Sequence, residues 1–160
     1  MIELTIPEGD KTRQVILHHL VLDFNGTLAV DGTLLPEAAS RLRRLAENLE
    51  IHILTADTFG HVRDEMADLP VTVTVIPGDG AQDHAKRTYV RSLGTENTCA
   101  VGNGRNDALM VAEAALGFAL VQAEGAWSGT LSAADVVATE IGSALDLLLN
   151  PKRLTATLRR

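Results

Sequence analysis

Apolar and polar positions along this 160-residue chain follow two alternating patterns. Leu20-Val21-Leu22-Asp23, Ile51-His52-Ile53-Leu54-Thr55, Val71 to Ile76, Cys99 to Gly102, Leu116 to Val121 and Asp135 to Ala138 are short, mostly apolar runs of strand length. Between them, apolar residues recur at helical spacing. One such stretch opens at Pro36-Glu37 and carries Ala38, Leu42, Leu45, Ala46 and Leu49; another runs from Phe59 to Leu69 and stops at Pro70. A third carries His84, Lys86, Tyr89, Val90 and Leu93 and closes at Gly94, a helix is expected after Asp107, and a last one spans Ile141 to Leu149. Continuous apolar runs mark strands buried on both faces. Their alternation with helices predicts an α/β, Rossmann-like architecture, a mostly parallel sheet with helices on both faces.

The ends of the chain follow other patterns. Ile2 to Ile6 alternates apolar and polar, Pro7-Glu8-Gly9-Asp10 is a turn cluster, and Arg13 to Leu17 resumes the extended pattern, so residues 1–18 predict a hairpin ahead of the core. Asp31-Gly32 between the short apolar runs at Ala29-Val30 and Thr33-Leu34-Leu35 predicts a second, smaller hairpin, a flap. Residues 151–160 form a basic terminal extension. No internal repeat or second domain is visible, and a single domain over 1–160 is expected.

Composition narrows the classes of function. The chain is 46% hydrophobic but only 3% aromatic, so Ala, Leu and Val must fill the core. A net charge of −7 argues against nucleic acid as a partner, because binding the phosphate backbone needs a basic face. Arg41, Arg43 and Arg44 are expected on the solvated face of their helix. The lone Cys99 excludes an internal disulfide and, within an apolar run, is expected to be a small core residue rather than a nucleophile. The N-terminus lacks a signal-peptide pattern and no apolar run approaches the ~18 residues of a membrane span, so a cytoplasmic protein with no membrane partner is expected. His18-His19 are neighbours on a strand and face opposite sides, which makes the pair a poor chelate; a structural or solvent role is expected. Trp127 either rims a site or covers the sheet edge, and the second is the expectation.

Candidate chemistry clusters where strands end. Ligands of open α/β sheets bind outside the carboxyl ends of the strands, which places Asp23, in Asp23-Phe24-Asn25-Gly26-Thr27, where a carboxylate can attack phosphorus. The same residues also suit a plain strand-ending turn. Thr55-Ala56-Asp57-Thr58 can bind phosphate or cap the next helix. Lys86 lies near a helix start, where a cation is disfavoured, which hints at a role. Gly102-Asn103-Gly104-Arg105-Asn106-Asp107 is rich in oxygen-bearing side chains and can hold a hard cation or phosphate.

These four elements, in this order, resemble the haloacid dehalogenase superfamily of aspartyl phosphotransferases. Leu54-Thr55-Ala56-Asp57 and Val101 to Leu109 look most like the phosphorylation domain of P-type ATPases, freed from any membrane part. The resemblance covers about Leu20 to Val137. It implies that Asp23 is nucleophile and magnesium ligand, that the Asn25 backbone carbonyl, Asn103 and Asp107 complete a Mg2+ site, and that Thr55 and Lys86, with Ala56 and Asn106, hold the phosphoryl group of a phosphorylated substrate. The intervals from Thr27 to Thr55 and from Thr55 to Lys86 are too short for an inserted cap domain, so the site should be open, and a homo-oligomer that covers it is one possibility.

Two residues depart from the pattern. Asn25 stands where phosphatases of this superfamily usually carry an Asp as general acid and base, and an amide cannot shuttle that proton. Such catalysis is typically worth about 10²–10⁴-fold, so turnover of an aspartyl-phosphate should slow by a factor in that range. Asn103 stands where a metal-binding Asp is usual, which lowers the charge at the metal. A slow magnesium-dependent phosphohydrolase is the leading expectation, and a weakly catalytic module binding phosphate, metal or a protein is the alternative. A dehalogenase fits less well, because Lys86, Thr55 and the acidic loop suit a phosphoryl group.

Overall fold

The computed structural model describes residues 1–57, 60–78 and 80–160. Thr58, Phe59 and Asp79, on which parts of the expected second helix and of the turn after the third run fall, lie outside the described residues. At the N-terminus, β1 (Ile2–Glu8) and β2 (Lys11–Leu17) pair antiparallel as the expected ribbon. The apolar face of this ribbon, Ile2, Leu4, Ile6, Val15 and Leu17, is buried in the main core.

Six strands make the central sheet: β3 (His19–Asp23), β6 (Glu50–Thr55), β7 (Thr72–Val75), β8 (Thr98–Gly102), β9 (Leu116–Leu120) and β10 (Val136–Ala138). Their order is β10-β9-β8-β3-β6-β7, and every pairing is parallel. The uninterrupted apolar runs explain the centre: β8 and β9 are buried at every position, as is β3 beyond its first residue. The chain moves from β3 to β6 and β7, then crosses back to β8 on the other side of β3. This reversal opens a crevice beside β3, at its carboxyl end.

Between β3 and β6 lie β4 (Ala29–Val30) and β5 (Thr33–Leu34), paired antiparallel as the flap, and α1 (Pro36–Leu45). Positive φ at Asp31 and Gly32 closes the tight flap turn. Pro36 occupies the first turn of α1, where its missing N–H costs nothing. The helix ends at Leu45, short of the expected Leu49, which is nevertheless buried in a following turn. Arg43 and Arg44 are exposed as expected, whereas Arg41 is not simply solvated. Its guanidinium donates to both carboxylate oxygens of Asp146, at 2.9 and 2.8 Å.

The next helix, α2 (Val62–Glu65), is much shorter than expected, confined between Gly60, at φ +72°, and Pro70. The remaining helices are α3 (Gln82–Leu93), α4 (Ala108–Glu113), α5 (Ser128–Ala133), α6 (Ile141–Leu149) and α7 (Pro151–Leu158). Helices α1, α6 and α7 pack with the ribbon on one face of the sheet, around Leu42, Leu145 and Leu154. Helices α3 and α4 cover the other, around Val90, Met110 and Val111. Residues 151–158, expected as a terminal extension, are a helix that lies on β1 and buries Leu154 completely.

Candidate active site

Asp23 ends β3, Thr55 ends β6, and Asn103 follows β8, so the three strand ends beside the crevice each deliver one expected residue. A cleft of about 270 Å3 opens there, and Asp23, Asn25, Thr55, Ala56, Asn103 and Asn106 all line it. A larger groove of about 450 Å3 between β10, α6 and α7 lacks this convergence; its Asp146 is already committed to Arg41.

Lys86 connects the cleft to the layer behind it. It sits in the second turn of α3 with its side chain fully buried, and its amine donates to Asp23 Oδ1 at 2.5 Å and to Asp107 Oδ1 at 2.7 Å. Burial opposes the ammonium, but the two carboxylates and their hydrogen bonds outweigh it and hold the Lys86 pKa above the ordinary lysine value. For Asp23 the balance goes the other way. Burial, with the Asp107 charge adding to it, outweighs Lys86 and raises the Asp23 pKa to about 7.

Asp107 does not reach the cleft surface. Its Oδ2 accepts the backbone N–H groups of Asn103 at 3.0 Å and Gly104 at 2.9 Å, and its Oδ1 takes Lys86. It therefore braces the loop from behind and compensates the charge of the Lys86 ammonium. Asn103 is held in turn. Its Nδ2 donates to the Gly125 carbonyl at 3.0 Å, and Thr27 Oγ1 lies 3.4 Å from its Oδ1. Gln122 pins the opposite wall, its amide donating to the carbonyls of Gly26 and Thr27 while its oxygen accepts the Ile141 N–H.

At Thr55 the side-chain oxygen accepts the Asp57 N–H at 2.9 Å, and Asp57 Oδ1 accepts the Val62 N–H that opens α2. The capping reading of this segment thus describes Asp57, while Thr55 keeps its hydroxyl proton for the cleft. Asn106 donates to Gln82 Oε1 at 2.9 Å. Gln82 and Glu124 also line the cleft and were not expected. Gln82 precedes Lys86 by four residues on α3, a spacing that could have found it; Glu124, in a loop, carries no such signal. Trp127 is tied to the cleft loop, its backbone N–H donating to the Asn103 carbonyl at 2.9 Å. It is exposed, with the Arg105 guanidinium 5.4 Å from its ring centre beside the 103–107 loop. Cys99 is buried in β8, and burial raises its thiol pKa, which suits the core role expected of it.

Comparison with solved structures shows which fold this is. The chain superposes on deoxy-D-mannose-octulosonate 8-phosphate phosphatase of Haemophilus influenzae, in its cobalt-bound form, with a TM-score of 0.69 and 16% identity, covering 88% of this chain and 91% of the other. For the corresponding phosphatase of Moraxella catarrhalis, in complex with magnesium, phosphate and KDO, the values are 0.70, 16%, 88% and 92%. A haloacid dehalogenase-like family hydrolase of Streptococcus pneumoniae matches at 0.60 and 12%, over 81% and 97%. This chain has the haloacid dehalogenase fold. Among the described residues it is the capless form, since only the flap and α1 intervene between β3 and β6. No protein-family profile matches the chain. In sequence it belongs with two uncharacterized proteins of Methanocaldococcus jannaschii. MJ0073 is 44% identical over 84 residues, half of this chain and 90% of the other, and MJ0072 is 49% identical over 39 residues, 24% and 89%.

Proposed function

We propose that this haloacid dehalogenase-fold chain is a phosphohydrolase that acts through an aspartyl-phosphate on Asp23. The observation that carries the reading is the Asp23–Lys86–Asp107 arrangement, set at the carboxyl ends of parallel strands in a cleft that also holds Thr55. Asp23 attacks phosphorus, the bond from phosphorus to the leaving oxygen breaks, and that oxygen takes its proton from solvent. Water then cleaves the aspartyl-phosphate and restores the carboxylate. Lys86 and the Thr55 hydroxyl, with Ala56 and Asn106 beside them, hold the phosphoryl oxygens. Positioning and charge neutralisation supply most of the rate in such transfers.

The donor set fits a hard divalent cation, magnesium foremost. Asp23 and Asn103 offer side-chain oxygens into one cleft, and Asn25 Oδ1 is buried without a hydrogen-bond partner among the described residues. Asp23, Asn25 and Asn103 would hold the ion, with Asp107 supporting them from behind. When bound, it neutralises phosphoryl charge and draws the Asp23 pKa down. Asn25 offers no proton, so we expect the phosphoenzyme to hydrolyse slowly and to form readily only where the leaving group needs no acid.

No helix of the described residues is long and apolar enough to cross a membrane. A phosphate monoester free in solution is the proposed substrate class, and the capless cleft admits a bulky one. Intact-mass spectrometry after incubation with acetyl phosphate and magnesium tests the chemistry. A phosphoryl adduct on the wild type and none on Asp23→Asn is the expected result. The amides at Asn25 and Asn103 favour a second reading, a phosphate- or metal-binding module. That reading gains if no adduct forms and the double variant Asn25→Asp, Asn103→Asp releases no phosphate.

A further inference from the structure

The opposite end of the sheet carries a second group of ligand-type side chains. His19 opens β3 and Glu50 opens β6, and the two are direct partners in the parallel register. His52, two residues on from Glu50, shares their face. His19 Nδ1 lies 3.2 Å from His52 Nε2 and 3.5 Å from Glu50 Oε2, and one ligand atom of each residue lies within 4.8 Å of the other two. From these contacts we infer that His19, Glu50 and His52 form a binding site for a divalent cation of the zinc class, distinct from the Asp23 cleft.

Two imidazoles and a carboxylate are a donor set that zinc takes, with water in the fourth position. Bonds of about 2.0–2.2 Å to a tetrahedral centre set neighbouring ligand atoms roughly 3.3–3.6 Å apart, close to the two separations that His19 makes, 3.2 Å to His52 and 3.5 Å to Glu50. The surroundings suit ligation. His52 is buried, and its other ring nitrogen lies 3.1 Å from the Tyr89 hydroxyl, which leaves Nε2 to face the ligand group. A hydrogen bond to the second ring nitrogen is what fixes the tautomer of a metal-bound histidine. Glu50 is 76% exposed and still turns its carboxylate toward His19, so the site has an entry path from solvent.

The position gives such an ion a structural role. It would clamp the starts of β3 and β6, the strands that end in Asp23 and Thr55, and through Tyr89 it would engage α3 one turn beyond Lys86. Four residues of extended chain, about 13 Å, separate His19 from Asp23, so the two sites are independent.

Tag-free, chelator-stripped protein is titrated with Co2+ and then with Zn2+, in excess Mg2+ to saturate the oxygen-lined cleft. The expected result is a visible absorption spectrum of tetrahedral cobalt, displaced by one equivalent of zinc, with a Tm that rises with zinc concentration. Glu50→Gln, an exposed change that leaves the fold intact, and His19→Ala each weaken zinc binding at least about tenfold, and Tyr89→Phe weakens it about 10–100-fold. The inference is overturned if the wild type shows no such spectrum, or if Glu50→Gln and His19→Ala both bind cobalt and zinc as the wild type does.

Discussion

Lys86 and Asp107 form an ion pair at 2.7 Å in which both side chains are fully buried. The amine also donates to Asp23 Oδ1 at 2.5 Å, so one cation serves two carboxyl groups across the floor of the cleft. Removing one member of a buried pair is far more costly than replacing the pair, because the remaining charge stays desolvated. Lys86→Met should therefore lower stability by about 3–5 kcal/mol, read as a drop in the urea midpoint, and abolish phosphoryl transfer. A midpoint equal to that of the wild type would show that the carboxylates do not depend on the amine.

The raised Asp23 pKa fixes the sign of a pH dependence. The folded state holds a proton on Asp23 up to about pH 7, whereas the unfolded chain releases it near the ordinary value of 3.8. The folded state thus binds more protons in that window, and the stability of the metal-free protein should fall as pH rises from about 4 to about 7. Asp146 works in the opposite sense. Its hydrogen bond and charge pairing with Arg41 lower its pKa, so its contribution is lost only as pH falls below the ordinary carboxylate range. Denaturation midpoints across pH 4–8 check this, with Asp23→Asn expected to flatten the slope and added Mg2+ to reverse it.

Gly26 and Asn103 are in unusually close contact. Gly26 has φ +78°, and a Cβ there would lie 2.4 Å from Asn103 Nδ2. Gly26→Ala should displace the Asn103 amide and cost stability well beyond the roughly 1–2 kcal/mol of left-handed backbone strain. Gly9→Ala is the control, since Gly9 has a similar φ of +66° with nothing within 4 Å. Comparable midpoints for the two variants would remove the steric argument.

The sheet was legible because buried parallel strands need continuous apolar runs, and Leu20 to Leu22 and Cys99 to Val101 have no other environment that suits them. The expected residues at strand ends follow from the same rule, which is why Asp23, Thr55 and Asn103 line one cleft. What stayed hidden depends on partners distant in sequence. The histidine at position 19 meets His52 only through the β3–β6 register, which no local pattern encodes. Asp107 faces Lys86 and its own loop rather than the cleft, a choice of side-chain direction made by packing. The segment 151–160 reads as a basic extension because four of its ten residues are Lys or Arg, yet its Leu154 is a core residue.

The packing of this segment can be measured. Leu154 is completely buried against the main core, and the Arg160 N–H donates to the Pro7 carbonyl at 3.1 Å. Leu154→Ala should cost about 2–5 kcal/mol, the range for a large-to-small change in a packed core. A solvated tail would instead tolerate the change within about 0.5 kcal/mol, so thermal denaturation of this single variant separates the two.

Asn25 bears most directly on rate. Asn25 lines the cleft beside Asp23, and its Oδ1 is buried with no hydrogen-bond partner among the described residues. In the proposed reaction, a carboxyl group at this position would supply a proton to the leaving oxygen and then a base for the attacking water. Asn25→Asp should therefore speed hydrolysis of the aspartyl-phosphate by about 10²–10⁴-fold, with a smaller effect on its formation when the leaving group is as good as acetate. Rapid-quench measurement of adduct build-up and decay with acetyl phosphate separates the two steps. If decay is unchanged while formation falls, Asn25 serves to hold the phosphoryl group or the metal, and the slow step lies elsewhere.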